Sequence, residues 1–325
     1  MLNRRAFLKA TSSVVGASVL PLDGAWSPSG SSWAAAGPLL SRAVPKSGEM
    51  LPMIGLGSSA TFAAMARSDD AQALREVLKT LVDHGGRVFD TAPGYGASEQ
   101  VAGDLANELG IRDRIFWATK VNAAGREGLS GAKADPAKAR AQIEDSFRKF
   151  RLSKIDLLQV HDVSDVATHL PIVKELKAAG RVRYIGITST RENQYQELVG
   201  YMKNEPLDFV GVDYAVDNRE VEKDIFPLAQ EKGIGILNYV PFGRTRLFAR
   251  VKGRTLPEWA AEFDAGTWAQ FFLKFALSHP AVTVVTPATS NPKNMLDNLG
   301  GGMGRLPTAE HRKRMIALIE SLPAA

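Results

Sequence analysis

The chain has 325 residues, no cysteine and a net charge of +5, from 40 basic and 35 acidic side chains. Without cysteine there can be no disulfide, no thiolate nucleophile, no cysteine metal site and no lipid attached at a signal cysteine. Arg4, Arg5 and Lys9 against Asp23 carry +2 of the charge, leaving +3 beyond Ala36; with no Lys/Arg block interleaved with aromatics, nothing points to nucleic acid.

Residues 3–10 read NRRAFLKA, and the Arg4-Arg5 pair followed by Phe7, Leu8 and Lys9 resembles the twin-arginine export motif. The apolar stretch 12–22 behind it is too short for a permanent membrane span, which takes about 20 apolar residues. SPSGSSWAAAG follows, and its small residues Ala34 and Ala36 suit a signal peptidase cutting after Ala36. The expectation is a signal segment, 1–36, export by the twin-arginine machinery to the periplasm, and one domain over 37–325.

From Leu39 the pattern becomes regular. SRAVPKSGEMLPM predicts a hairpin with its turn at 45–48. Strands are predicted at 53–56, 87–90, 115–120, 155–160, 184–188, 209–213, 234–239 and 282–286. Helices are predicted at 70–84, 98–109, 136–150, 168–179, 191–203, 221–232, 267–278 and 292–299. Within the first helix, Leu74, Val77, Leu78 and Leu81 repeat at helical spacing, and Gly85-Gly86 stops it. Eight strand–helix units predict an α/β fold with a parallel sheet, which can close into a (β/α)8 barrel, the hairpin plugging its bottom. A doubly wound open sheet is the alternative, but no GxGxxG follows an early strand. The long segment 241–266 reads as a functional loop rather than a connector.

In such barrels catalytic groups come from the C-terminal ends of strands. The residues there are Asp90, Lys120, His161, Thr188 with Ser189, Asp213 and Tyr239, and Tyr95 lies just beyond the second strand. A lysine ending the apolar strand IFWATK is costly to bury without a partner, and Asp90, ending VFD, is the natural one. Either residue alone reads equally well as a structural ion pair. With Tyr95 and His161 they point to chemistry.

RVFDTAPGYGASEQVAG, then ATK, then IDLLQVH, resembles the tetrad pattern of the aldo-keto reductase superfamily. GRVRYIGITS, VVTPATSNPKNMLDN and the opening LPMIGLGSS are similar to its other motifs, so the likeness covers 39–299. It implies hydride transfer between a nicotinamide cofactor and a carbonyl or alcohol, with Asp90, Tyr95, Lys120 and His161 as the catalytic set. Hydride reaching a carbonyl carbon leaves negative charge on oxygen, and a proton must meet it. A free tyrosine, of pKa about 10, is a sluggish acid near neutrality. The expectation is that Lys120 lowers the pKa of Tyr95, Asp90 holds Lys120 charged, and His161 hydrogen-bonds the carbonyl oxygen.

The resemblance also sets Tyr239, in ILNYVPFG, against the nicotinamide ring, and Thr188 and Ser189 at its carboxamide, where many members carry Ser-Asn. Gly211 stands where many carry Gln. At the adenosine end many members set a Lys and an Arg against a 2′-phosphate; here Ala288 and Asn294 stand there. Thr289, Ser290 and Lys293 remain as phosphate ligands. Asp297 and Asn298 match the adenine-contacting pair, and Arg244 and Arg246 in the long segment are candidates for the pyrophosphate. NADP(H) is favoured over NAD(H) on family habit, although losing two cations weakens that preference.

His84, His169 and His279 sit at helix ends, and no metal-ligand spacing is present, so no metal is expected. The implied partners are a small carbonyl or alcohol substrate and the export machinery, with the barrel monomeric. Two other readings stand. One is a non-turnover cofactor-binding sensor or regulatory subunit, against which the complete tetrad argues. The other is an isomerase or aldolase using Lys120 as a Schiff base. Substrate choice falls to the loops 61–66, 122–131 and 241–263.

Overall fold

The computed structural model describes residues 37–59, 61–66, 71–125 and 131–323; the expected signal segment, 1–36, lies outside the described residues. The apolar runs pair in chain order. A hairpin of β1 (Ser41–Ala43) and β2 (Met50–Pro52) precedes eight parallel strands. These are β3 (Leu56–Gly57), β4 (Val88–Asp90), β5 (Phe116–Val121), β6 (Ile155–Val160), β7 (Val182–Ser189), β8 (Phe209–Asp213), β9 (Gly235–Tyr239) and β10 (Val282–Val285). Each pairs with the next.

The ends of this sheet also meet. Gly55 donates its amide to the Val285 carbonyl at 2.9 Å, and Gly57 donates to Pro287 at 3.0 Å, which closes the barrel. The approach requires glycine: a Cβ on Gly57 would stand 2.6 Å from the Thr286 carbonyl oxygen. Closure excludes the open-sheet alternative. It also explains why the first strand is shorter than predicted, since Met53 and Ile54 bond toward Val285 rather than extending the ladder with β4.

The helices are α1 (Thr61–Met65), α2 (Ala71–Asp83), α3 (Ser98–Glu108), α4 (Pro136–Phe150), α5 (Val166–Ala178), α6 (Tyr195–Asn204) and α7 (Ile225–Lys232). They are followed by α8 (Arg246–Arg250), α9 (Trp268–Leu277), α10 (Pro292–Gly300) and α11 (Ala309–Glu320). α4 matches its predicted span for a local reason. Asp135 accepts the amides of Ala137 and Lys138, Pro136 supplies the first turn, and Arg151 ends the helix in a left-handed conformation. Two predicted helices open instead with a single tight turn, at 192–194 and 220–222. α11 was not predicted, although Thr308 and His311 form a reciprocal capping box at its start. The 241–266 segment contains α8 and a further 3-10 turn.

Two layers of apolar side chains follow from the strand period. Residues facing out, such as Phe89, Trp117, Leu158, Val160 and Ile187, pack under the helices. Residues facing in form a second cluster: Val88, Phe116, Ala118, Leu157, Tyr184, Phe209, Leu237 and Val284, sealed by Val44 and Leu51 of the hairpin. The hairpin therefore plugs the bottom of the barrel, and the opposite, C-terminal mouth is left for the site.

Candidate active site

Side chains on a strand alternate faces, so the next inward residue lies two positions on. Two positions above Val88, Ala118, Leu157, Tyr184, Phe209, Leu237 and Val284 stand Asp90, Lys120, Gln159, Gly186, Gly211, Tyr239 and Thr286. The apolar plug gives way to a polar or side-chain-free ring in one step. That ring is the floor of the site.

On it, Lys120 Nζ donates to Asp90 Oδ2 at 2.5 Å and to the Thr91 carbonyl at 2.8 Å. The same ammonium lies 5.2 Å from the centre of the Tyr95 ring. The Tyr95 hydroxyl is 3.4 Å from His161 Nε2, and the two rings meet edge to face at 5.7 Å. Four residues from two strands and two loops thus form one cluster at the mouth.

The electrostatics are dominated by burial. Burial works against the Lys120 ammonium, but Asp90 and Tyr95 outweigh it, and the lysine's pKa is raised. Burial pushes the Asp90 carboxyl up, with Lys120, Tyr239 and Gln159 holding it back. His161 is lowered to about 3, by burial and then by Lys120, so its imidazole is neutral and carries a single N–H. Tyr95 departs from expectation. Lys120 does pull the phenol down, but burial, Asp90 and Asp162 together leave its pKa above the ordinary value. Tyr95 is therefore a protonated donor, not a pre-ionised one.

The mouth is also where backbone strain collects. Among the described residues, seven non-glycine positions have positive φ, and five of them (Asp162, Val163, Asp165, Val240 and Arg244) follow His161 or Tyr239. For β-branched Val163 and Val240 such a conformation costs roughly 1–2 kcal/mol each. Strain held at this level by surrounding structure is a mark of functional loops.

The expected cofactor residues are distributed as follows. Thr188 Oγ1 accepts the Asp162 amide at 3.1 Å, leaving its own proton to donate. Ser189 Oγ donates to Gln194 Oε1 at 2.7 Å, and Gln194 in turn holds the Asp162 carbonyl. Both hydroxyls therefore brace the loop after His161. Thr289 accepts the Asn291 amide at 3.1 Å, and Asn291 caps α10 by accepting the Lys293 amide at 2.9 Å. Lys293 and Asn294 are exposed on the first turn of α10, and Ala288 lies beside Gly57. Asp297 accepts from Thr267 at 3.0 Å and Gln270 at 2.8 Å, next to the buried Asn298. The two loop arginines separate. Arg246 makes a bidentate pair with Asp217 at 2.7 and 2.8 Å and anchors the loop. Arg244 is exposed, close enough to Asp162 to oppose the rise that burial causes in that carboxyl.

Three residues at the mouth escaped the sequence reading. Gln159 lies two positions before His161 and shares its face, a signal the strand period contains. Gln194 is placed only by the fold. Ser58, just past β3, has a buried hydroxyl with no partner in the protein. Among the described residues no cluster of three or more His, Asp and Glu could hold a metal ion.

The family model for the aldo/keto reductase family matches residues 53–314. Aldo-keto reductase YhdN of Bacillus subtilis (strain 168) is 29% identical over 191 residues, a stretch that spans 57% of each chain, little more than half of that relative's length. The solved structure of aldo-keto reductase AKR11C1 from Bacillus halodurans, in its holo form, superposes with a TM-score of 0.69 at 26% identity, covering 88% of this chain and 97% of that one. An aldo-keto reductase from Klebsiella pneumoniae, solved in complex with NADPH, shares the fold with a TM-score of 0.68 at 21% identity, over 86% and 96% of the two chains. The matched span runs from the residues that close the barrel to within its final helix, and takes in the whole Asp90, Tyr95, Lys120 and His161 cluster: this chain belongs to the aldo/keto reductase family.

Proposed function

We propose that this protein is a nicotinamide-dependent oxidoreductase that reduces an aldehyde or ketone to an alcohol, or runs the reverse, with Tyr95 as the general acid. The observation that carries this reading is the contact of the Tyr95 hydroxyl with His161 Nε2 beside a buried Lys120–Asp90 pair. A carbonyl oxygen resting between Tyr95 and His161 would receive a hydrogen bond from the neutral imidazole. As charge develops on that oxygen, Tyr95 hands over its proton, and the Lys120 ammonium stabilises the phenolate that remains. Asp90 keeps Lys120 charged and directed. Such general-acid help contributes about 10²–10⁴-fold.

The residues present fit a nicotinamide dinucleotide. The unpartnered Ser58 hydroxyl and the spare Thr188 proton are donors at the mouth. Tyr239 offers a ring on the floor, and Arg244 a cation on the loop after β9. The N-terminus of α10 with Thr289 and Lys293 suits a phosphate, as helix ends after the last barrel strands do. When bound, the nicotinamide supplies or takes the hydride. NADP(H) remains favoured over NAD(H), with a weak preference because Ala288 and Asn294 carry no charge. We further propose that residues 1–36 direct export through the twin-arginine route, and that the folded barrel carries its cofactor outward.

The test is steady-state oxidation of NADPH and NADH by the purified protein against a panel of aldehydes and ketones. Sustained turnover with at least one carbonyl is the expected result. A single stoichiometric burst without turnover favours the sensor, and trapping of substrate on Lys120 by borohydride favours the Schiff-base reading.

A further inference from the structure

The floor of the site holds one arrangement that the tetrad itself does not require. The Tyr239 hydroxyl donates to Asp90 Oδ1 at 2.9 Å, while Lys120 occupies Oδ2. Gln159 Nε2 donates in turn to the Tyr239 hydroxyl at 3.1 Å. Because the amide gives its proton to the phenol oxygen, the phenol's own proton is directed at the carboxylate. Lys120 Nζ also lies 5.1 Å from the centre of the Tyr239 ring, about as far as from Tyr95.

Two glycines on neighbouring strands make the arrangement possible. A Cβ on Gly211 would stand 2.4 Å from the Tyr239 ring and 2.8 Å from its hydroxyl. A Cβ on Gly186 would stand 3.1 Å from Gln159 Cγ and 2.6 Å from the Phe209 carbonyl oxygen. Both glycines have ordinary strand conformations, so close approach, not backbone freedom, is what they supply. A side chain of any size at position 211 would push the phenol off Asp90.

The chemical need is clear. A buried carboxylate is driven toward its neutral form by the loss of water, and each donor restores part of the lost solvation. Lys120 serves one oxygen. A second ammonium on the other would repel Lys120, whereas a phenol donates a hydrogen bond without adding charge. A neutral Asp90 would stop holding Lys120, and Lys120 would stop supporting Tyr95.

We propose that Tyr239 is a positioning residue whose hydroxyl, admitted by Gly211 and steered by Gln159, holds the Asp90 carboxylate ionised and aligned with Lys120. This role is separate from any contact its ring makes with the cofactor, and its bearing on turnover rests on the reductase reading above. The titratable groups around Asp90 are Lys120 from β5, Tyr95 from the loop after β4 and Tyr239 from β9, with His161 and Asp162 beyond them after β6.

The experiment follows the Asp90 carboxyl by 13C NMR in the full chain labelled at aspartate γ-carbons, with Asp90→Asn to assign the signal. Tyr239→Phe keeps the ring and removes the hydroxyl. Its Asp90 titration is expected to move up by about one to two pH units, the size a single hydrogen bond to a charged group produces. Gly211→Ala, which displaces the phenol with its hydroxyl intact, moves it the same way. In turnover, the acid limb of kcat rises by the same interval in both variants, while KM for the carbonyl stays unchanged in Tyr239→Phe. An Asp90 titration that is the same in wild type and both variants overturns the proposal, whatever the activity. A shifted titration in a protein that never turns over leaves the positioning role intact and sinks the reductase reading instead.

Discussion

Lys120 and Asp90 form an ion pair at 2.5 Å in which neither side chain is more than 4% exposed. Two charges shut away from water gain little net stability from each other, but removing one strands its partner. The pair therefore adds little net stability to the fold while it sets an ammonium 5.2 Å from the centre of the Tyr95 ring.

Lys120→Met is therefore expected to lower unfolding free energy by roughly 3–5 kcal/mol, the usual consequence of leaving a buried charge without its partner. Denaturant unfolding at neutral pH measures this. Unchanged stability would show that Asp90 protonates or finds water at no cost.

Tyr95→Phe is expected to reduce carbonyl turnover by about 10²–10⁴-fold while cofactor binding, followed by fluorescence quenching, persists. Adding Lys120→Met to it should cost little more, because residues that act as one proton-transfer unit are not additive. A double variant whose loss equals the product of the two single losses would show that they work independently.

The histidines give the protein an acid-side signature. His161 is lowered to about 3 and His279 to about 4, each chiefly by burial, from an ordinary 6.5. A group with a depressed folded pKa contributes stability above its unfolded value and loses it as pH falls toward the folded one. Unfolding free energy should therefore decline from pH 6.5 down to about 4 and beyond, and His279→Gln should flatten the upper part of that decline. The rate of reduction should show no histidine limb between pH 5 and 8, since His161 stays neutral throughout; a limb near 6.5 would mean the imidazole takes a proton in the working enzyme.

Discrimination between NADP(H) and NAD(H) is expected to be weak. Only Lys293 on the first turn of α10 offers a cation where Ala288 and Asn294 do not. Titration with both cofactors at one ionic strength tests this. A preference above ~100-fold, roughly 2.7 kcal/mol, would mean that Lys293 or Arg244 fully replaces the missing charges.

Export is expected to fail when Arg4→Lys and Arg5→Lys are combined, leaving the protein in the cytoplasm. Protein recovered from the periplasm should release nicotinamide nucleotide on denaturation, because a ligand bound before transit stabilises the folded state, by about 2.7 kcal/mol at a hundredfold over Kd. Recovery of an empty protein from the periplasm would end the preloading idea without touching the catalytic one.

The fold, and the placing of Asp90, Lys120 and His161 at one end of it, were legible because they depend on local rules. Parallel strands buried on both faces read as apolar runs, and their C-terminal ends mark the mouth, which sets Asp90, Lys120 and His161 there together with Thr188, Ser189, Asp213 and Tyr239; the resemblance to the aldo-keto reductases is what groups the first three with Tyr95. What remained was decided by packing between distant segments. Ring closure through Gly55 and Gly57 joins residues about 230 apart in the chain, a relation no local pattern encodes. The partners of Arg246 and Arg244 diverge because Asp217, from the loop after β8, reaches only one of them. The proton on Tyr95 is held more tightly than its lysine neighbour suggests, since burial and two carboxylates act on it together. Tyr239 turns its hydroxyl to Asp90, 149 residues away, because Gly211 on the adjacent strand leaves the space. Charge and desolvation depend on everything within a few ångströms in three dimensions, and the chain order alone does not say what those neighbours are.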